Sequence, residues 1–290
     1  MFRRILSVVL CVFMVASSVI PQKNQMVYAY NPDVPETQPV TSVDPIEKYP
    51  TTTDADYDIS RVALLDEVDS LRTESTKTFQ RADGSFVVAM YGDVIHYQKD
   101  GKWTDIDNTL TYDQLTDSYE NKYNGFKVKF PNSIDANKKI KLAMADYAID
   151  WSVTNISRAA IDFSVVESKS SDLRDLNKIS QEVRYKNVLP GVELQYNVSG
   201  SKVKENIILS SYQQDFELSF LYTIKNLSLI KDNGAVRFVN ESKETIFTFD
   251  DLYAFDANGN VTFDIELSIT ELKKDEYRIT ISVKDRKSVV

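Results

Sequence analysis

Hydrophobic and polar residues alternate with a period of two over most of the chain from Thr76 onward. This period places successive side chains on opposite faces of an extended strand. Turn signals such as Asp83-Gly84 and Asp100-Gly101 separate the alternating runs, as in β-hairpins. The pattern predicts an all-β fold. Because most runs are too close together for a crossover helix, the sheets are expected to be antiparallel.

The predicted strands continue almost to the end of the chain. Together they predict one large antiparallel β-sandwich over residues 73–290, with two packed sandwich modules as the alternative if the polar stretch 168–180 is a boundary. The strands are expected near Lys77–Phe79, Phe86–Val88, Val94–Tyr97, Trp103–Ile106, Phe126–Phe130, Lys139–Ala145, Ile149–Val153, Ala160–Val166, Glu182–Tyr185, Val192–Val198, Val203–Leu209, Phe216–Ile224, Val236–Val239, Thr245–Phe249, Val261–Ile269 and Tyr277–Val283.

Two segments before the strands have other patterns. Residues 30–58 contain five prolines among Asp, Thr and Glu, a composition typical of an extended spacer. Over residues 59–72 apolar side chains recur at helical intervals, at Val62, Leu65, Val68 and Leu71. This spacing predicts a short amphipathic helix ahead of the sandwich.

The first 29 residues have the pattern of a secretory signal peptide. Arg3 and Arg4 precede an apolar run that ends at Pro21, and Val27-Tyr28-Ala29 offers a cleavage site after Ala29. A cut near 16–18 is the second choice, and an uncleaved membrane anchor is the alternative; both export the chain. Cys11 lies inside the apolar run after Leu10, a context that argues against a lipoprotein signal.

Charge and cysteine content narrow the classes of function. After Ala29 the chain has 31 basic and 43 acidic side chains, a net charge of −12, so binding to nucleic acid phosphates through a basic face is not expected. Cys11 is the only cysteine, so a chain cleaved after Ala29 can form neither disulfides nor thiolate metal sites. Its core is expected to be stable without cross-links.

Six segments of the sequence resemble the N-terminal region of a family of large secreted proteins of Gram-positive bacteria. The most specific is Gly101–Leu110, which reads GKWTDIDNTL. The others are Thr73–Phe79, Gly92–Tyr97, Asn124–Pro131 (NGFKVKFP), Val183–Tyr196 (VRYKNVLPGVELQY) and Val203–Leu209 (VKENIIL). The family comprises wall-associated and other Rhs/YD-repeat proteins and proteins with DNRLRE domains.

The resemblance implies a carrier role. Family members continue into repeats and, in many cases, into a C-terminal polymorphic toxin, so this chain is expected to be a truncated fragment or a remnant of such a protein. The resemblance assigns no catalytic, cofactor-binding or metal-binding residue to this chain, and no cofactor.

Individual residues give weak signals for chemistry. His96 is the only histidine and lies on a predicted strand without a Gly-x-Ser-x-Gly partner, so a structural role is expected rather than a catalytic triad. Asp105, Asp107 and Asn108 could form an oxygen-rich calcium site, with turn chemistry as the alternative.

Two further alternatives concern sugars. Trp103, Trp151 and the 16 tyrosines could form a stacking platform for carbohydrate, although core packing accounts for most aromatic residues in a sandwich. A glycoside hydrolase needs a pair of carboxylates, but among 43 acidic residues such a pair is uninformative.

We therefore expect a non-enzymatic, secreted module associated with the cell surface or wall. Cell-wall polymer or another surface protein is the expected partner, without nucleic acid and without membrane contact after signal cleavage. A carbohydrate- or wall-polymer-binding module and a glycoside hydrolase on a sandwich fold are the alternatives.

Overall fold

Antiparallel β-strands form nearly all of the regular structure. A computed structural model describes residues 6–8, 63–135, 137–156, 159–162, 178–211, 213, 216–232, 235–250 and 252–283. Every strand pairing among them is antiparallel, and none of the described residues lies in an α-helix. The prediction of an all-β, antiparallel fold is confirmed.

The strands are numbered here in chain order. They are β1 (Leu6–Val8), β2 (Leu64–Glu67), β3 (Thr76–Arg81), β4 (Phe86–Met90), β5 (His96–Lys99), β6 (Lys102–Asp105), β7 (Asp107–Asp113), β8 (Ser118–Tyr123), β9 (Lys127–Pro131), β10 (Ser133–Ile134), β11 (Ile140–Met144), β12 (Tyr147–Val153), β13 (Ala159–Asp162), β14 (Ser180–Leu189), β15 (Val192–Ser199), β16 (Lys202–Leu209), β17 (Phe216–Lys225), β18 (Ser228–Asp232), β19 (Ala235–Val239), β20 (Thr245–Phe249), β21 (Ala254–Asp256), β22 (Val261–Thr262), β23 (Ile265–Lys273) and β24 (Glu276–Val283).

The described chain divides into two compact units. The smaller contains residues 63–90, in which β2, β3 and β4 form a three-stranded sheet. The larger contains residues 6–8 and residues from 91 onward, and it holds all the other strands.

Two eight-stranded sheets form the sandwich of the larger unit. The first sheet has the order β10-β13-β14-β15-β16-β1-β21-β22, and the second has the order β23-β24-β17-β12-β11-β9-β8-β7. Strands β18, β19 and β20 form a three-stranded sheet, and β5 and β6 form a hairpin.

Alternating burial along the central strands explains why the two sheets pack face to face. In β15 the buried residues are Val192, Leu194, Tyr196 and Val198, and in β17 every second residue from Phe216 to Ile224 is buried. Removing a large apolar side chain from water stabilises the fold by roughly 1.5–3 kcal/mol. The period of two therefore directs one face of each strand into a shared core.

Aromatic rings connect the two sheets across this core. Tyr196 of the first sheet lies between two rings of the second, with centroids 5.5 Å from Phe130 and 6.3 Å from Trp151. Trp151 stacks on Tyr222 at 6.1 Å. The Tyr185 hydroxyl donates a 2.6 Å hydrogen bond to the carbonyl of Pro131, which adds a polar link between the sheets.

The turn between β14 and β15 contains Pro190 and Gly191. Gly191 has a φ of +74°, and a Cβ atom at this position would lie 2.8 Å from the Ser210 Oγ. Both the left-handed backbone and the close approach require glycine. Gly191 therefore has a conformational role at this turn.

The predicted helix over residues 59–72 is wrong. Leu64–Glu67 is strand β2, and Asp69–Leu71 forms one turn of 3-10 helix, while residues 59–62 lie outside the described residues. Isolated helices of this length are marginal in water. Pairing with β3 instead satisfies the backbone of β2, with Leu64 opposite Arg81 and Glu67 opposite Phe79.

The other predicted N-terminal segments lie mostly outside the described residues. The predicted spacer 30–58 lies outside the described residues, as does the predicted signal peptide except for residues 6–8. The backbone of Leu6–Val8 pairs with Ile207 and Ile208 of β16 on one side and with Phe255 and Asp256 of β21 on the other. In the described part of the chain, no helix is long and apolar enough to cross a membrane.

Candidate functional site

His96 lies on β5, directly opposite Asp105 of β6. Its side chain is fully buried, and its Nε2 is 3.3 Å from the Oδ1 of Asp105, a carboxylate that is 54% exposed. The position on a strand is as predicted. The interaction of the buried imidazole with Asp105 joins the two strands of the hairpin.

The three residues considered for calcium have separate partners. Asp105 faces His96, and the Oδ1 of Asp107 accepts a 2.9 Å hydrogen bond from the backbone N–H of Thr109. This is the Asx-turn chemistry expected of such residues. Within the described ranges no group of three or more His, Cys, Asp or Glu side chains has the arrangement of a metal site.

Asn108 is the centre of a buried network of three asparagines, formed with Asn121 and Asn124. Its amide nitrogen donates to the carbonyls of Ile179 at 2.7 Å and Gly200 at 3.3 Å. Its oxygen accepts hydrogen bonds from the amides of Asn121 at 3.1 Å and Asn124 at 3.0 Å. All four contacts hold the start of β7 in place.

The other two members of this asparagine network extend it to neighbouring segments. Asn121 accepts from the backbone N–H of Val128 at 2.8 Å and donates to the carbonyl of Phe126 at 3.2 Å. Asn124 donates to the carbonyl of Gly200 at 2.7 Å. The network therefore connects β7, β8 and the start of β9 with the β15–β16 turn, and its role is structural.

Glu205 is an ionisable group buried in the core of the sandwich. It lies on β16, is 2% exposed, and stands directly opposite Tyr196 of β15. The Tyr196 hydroxyl donates a short hydrogen bond to Glu205 Oε1, while Oε2 has no hydrogen-bond partner. A buried carboxyl with one free oxygen favours its neutral form.

The environment of this Glu205–Tyr196 pair shifts its ionisation. Burial raises the pKa of Glu205 to about 7, although the hydrogen bond from Tyr196 opposes the shift. Burial also raises the pKa of Tyr196 well above its usual value, and the nearby Glu205 adds to this effect. Both groups are accordingly neutral below pH 7.

A raised carboxyl pKa is also found in general acids of enzymes. Glu205 does not meet the geometric requirement for that role, because a general acid must come within hydrogen-bond reach of its substrate. The pair is buried, with Trp151 packed near Tyr196 and Tyr222 interacting electrostatically with Glu205. Its arrangement can hold a proton in the core but cannot deliver one to a bound substrate.

The aromatic residues considered for carbohydrate have different locations. Trp151 is 2% exposed and part of the core, whereas Trp103 is half-buried. Tyr112 of β7, which is exposed, pairs with the partly exposed Tyr119 of β8, and their ring centroids are 5.0 Å apart. The Tyr112 hydroxyl donates to Asp117 Oδ1 at 3.0 Å, and Lys138 donates to Asp117 Oδ2 at 3.0 Å.

Sequence reasoning missed the partners that give these residues their roles. Asn121 and Asn124 were not singled out, and neither was the pairing of Tyr196 with Glu205. The alternation in β15 and β16 places both members of that pair on the inward face, but only the strand register brings them opposite each other.

Known proteins with similar sequences are wall-associated proteins and nucleases. A wall-associated protein of Geobacillus stearothermophilus is 23% identical over 234 residues, which cover 76% of this chain and 85% of that protein. The tRNA(Glu)-specific nuclease WapA of Bacillus subtilis subsp. natto is 23% identical over 208 residues. The tRNA3(Ser)-specific nuclease WapA of Bacillus spizizenii is 24% identical over 198 residues.

The share of each known protein that the alignment covers differs greatly. The alignments with the two nucleases cover 70% and 63% of this chain but only 9% and 8% of those proteins. No protein-family model matches the chain, and no solved structure does. The chain is thus distantly similar to wall-associated proteins of Gram-positive bacteria.

Proposed function

We propose that this chain is a non-enzymatic, exported module of the cell wall or cell surface, which serves as the N-terminal carrier or scaffold region of a Rhs/YD-repeat type protein. One observation carries the proposal. Within the segments that resemble this family, Asn108, Phe130, Tyr196 and Glu205 are all buried in the sandwich. The resemblance therefore concerns architecture rather than an exposed reactive group.

The similarity to nucleases does not extend this proposal to RNA cleavage. The alignment reaches less than a tenth of each nuclease, whereas it spans most of the Geobacillus wall-associated protein. The acidic net charge also disfavours binding of RNA phosphates. A carrier role accounts for similarity to both kinds of protein.

Fractionation of a Gram-positive host that expresses the full chain tests export. We expect the chain in the wall fraction or the culture fluid, with its N-terminus beginning at Tyr30 in a mass measurement. Retention in the cytoplasm would contradict the proposal. Recovery from the membrane fraction with residue 1 still present would instead favour the uncleaved anchor.

A wall-polymer-binding module is the second candidate, because Tyr112 is 47% exposed and its hydroxyl is fixed by Asp117. A rigid exposed aromatic ring is a common contact for carbohydrate. Sedimentation of the purified chain with purified cell wall separates the two functions. A scaffold stays in the supernatant, whereas a binding module is retained and loses retention in Tyr112→Ala. Tyr123→Ala, which removes another exposed tyrosine, is the matched control.

A further inference from the structure

The core of the sandwich contains a carboxyl group that lacks a positive partner. Glu205 is hydrogen-bonded to Tyr196 of β15, whose ring lies 6.3 Å from Trp151 of β12, and it interacts electrostatically with Tyr222 of β17. The titratable groups that face it are the hydroxyls of Tyr196 and Tyr222, and Tyr185 of β14 packs its ring 6.1 Å from that of Tyr196. The influences on the pKa of Glu205 are burial and the Tyr196 hydrogen bond, without any cation.

This arrangement can accommodate a neutral carboxyl group much better than a carboxylate. A buried carboxylate needs a countercharge or several hydrogen-bond donors. Here the Tyr196 hydroxyl donates to one oxygen, while the other has no donor. The buried Trp151 indole N–H interacts with the Tyr196 hydroxyl rather than with Glu205, so the second oxygen of Glu205 has no donor.

We propose that Glu205 is a pH-sensitive element of the fold, which holds the two sheets together as a neutral acid and loosens their packing when it loses its proton. Tyr196, which is hydrogen-bonded to Glu205, is also the ring that packs against Phe130 and Trp151 of the other sheet. A charge at this position draws water toward the β15–β16 hairpin and weakens those contacts. An exported protein meets the external pH directly, so the contribution of Glu205 to stability is larger in acidic than in neutral surroundings.

The direction of the pH dependence follows from whether Glu205 holds a proton in the folded and in the unfolded state. Below about pH 4.5 the carboxyl is protonated in both the folded and the unfolded chain. Between this pH and about 7 the folded state retains a proton that the unfolded state has lost, so the free energy of unfolding falls as the pH rises. Above this range both states are ionised and the contribution of Glu205 is constant.

Unfolding of the full chain by denaturant between pH 4 and pH 8 tests the proposal, with Glu205→Gln as the variant. Glutamine keeps the shape and an acceptor for Tyr196 but cannot ionise. We expect the unfolding constant of the unmodified chain, divided by that of Glu205→Gln, to rise by two to three powers of ten over this range. Glu217→Gln, at an exposed position of β17, is the control and should follow the unmodified chain.

A second variant keeps the test informative if Glu205→Gln does not fold. Tyr196→Phe removes the hydrogen bond that stabilises the carboxylate, so the pH at which stability is lost should move upward. In infrared spectra at pH 6, the band of a protonated carboxylic acid should be present in the unmodified chain. Parallel pH profiles for the unmodified chain and Glu205→Gln, or a downward shift in Tyr196→Phe, would overturn the proposal.

Discussion

Two kinds of buried polar residue occur in the sandwich, and they differ in how well their hydrogen bonds are satisfied. Asn108 uses both ends of its amide, with two donated and two accepted bonds. Glu205 has a partner for one oxygen only. A satisfied network rigidifies a core, whereas an incompletely satisfied group remains sensitive to its charge state. The first kind fixes the fold and the second couples it to pH.

Asn108→Ala should lower the free energy of unfolding by about 2–4 kcal/mol, because it leaves the amides of Asn121 and Asn124 and the carbonyl of Ile179 with fewer partners in a buried site. Denaturant unfolding measures the loss. Asn137→Ala is a suitable control, since Asn137 is exposed and bonds through its backbone N–H. Equal stability of the two variants would contradict a structural role for the network.

At the scale of secondary-structure elements, two of the strands that the sequence pattern missed are rich in polar residues. Strands β7 and β8 have sequences DNTLTYD and SYENKY, and they form one edge of the second sheet. An edge strand buries less of each face, so its alternation of apolar and polar residues is weak. The central strands β15 and β17, which are covered on their inner face, were predicted at nearly their observed positions.

The segment mistaken for a helix is held by an ion-pair cluster around Glu67. Arg72 donates two hydrogen bonds to the Glu67 carboxylate, at 2.7 and 2.9 Å, and Lys77 of β3 lies 3.3 Å away. Burial raises the pKa of Glu67, but these cations outweigh burial, so the net pKa is lowered. Charge pairing thus supports β2 where apolar burial is small.

Glu67→Gln should lower the free energy of local opening of residues 64–81 by about 1–2 kcal/mol at pH 7. Hydrogen exchange measures this change. The pKa of Glu67 is lower in the folded chain than in the unfolded chain. The stabilisation is therefore present above the pKa of the unfolded chain and disappears as the pH falls. The difference between the two proteins should therefore vanish in acid. Glu74→Gln, at an exposed position, should exchange like the unmodified chain, and an unchanged rate in Glu67→Gln would refute the role of the cluster.

At the scale of the whole molecule, the two compact units differ in how much they bury. Among the described residues 63–90, only Thr78 and Phe79 are buried. In the larger unit, strands such as β15 and β17 bury every second side chain. Local stability depends on buried apolar contacts.

Amide hydrogens of β2, β3 and β4 should therefore exchange faster than those of β15, β16 and β17, by at least tenfold in native conditions. Hydrogen exchange read by mass spectrometry on the intact chain provides the comparison. The exposed β5–β6 turn at Asp100-Gly101 serves as a fast internal reference. Equal protection of the two sets of strands would show that the smaller unit is stabilised by more than its described contacts.

The sequence alone was sufficient to predict the fold class and most central strands. A period of two is a local property, and it follows from the requirement that one face of a strand be apolar when it lies against a core. The same local property failed over residues 59–72, where a helical spacing of four apolar residues coincided with a strand and a 3-10 turn. The spacing of apolar residues does not show which strand a segment pairs with, and this pairing decides between a helix and a strand.

Only the tertiary structure decided what the polar residues do. Asn108 was considered for calcium because of its neighbours in sequence, but its partners Asn121, Asn124 and Gly200 lie 13, 16 and 92 positions further along. Tyr196 and Glu205 are likewise brought together by strand register, and their burial comes from the opposite sheet. The partners of a buried polar group depend on how distant segments pack together. The sequence alone does not show this packing.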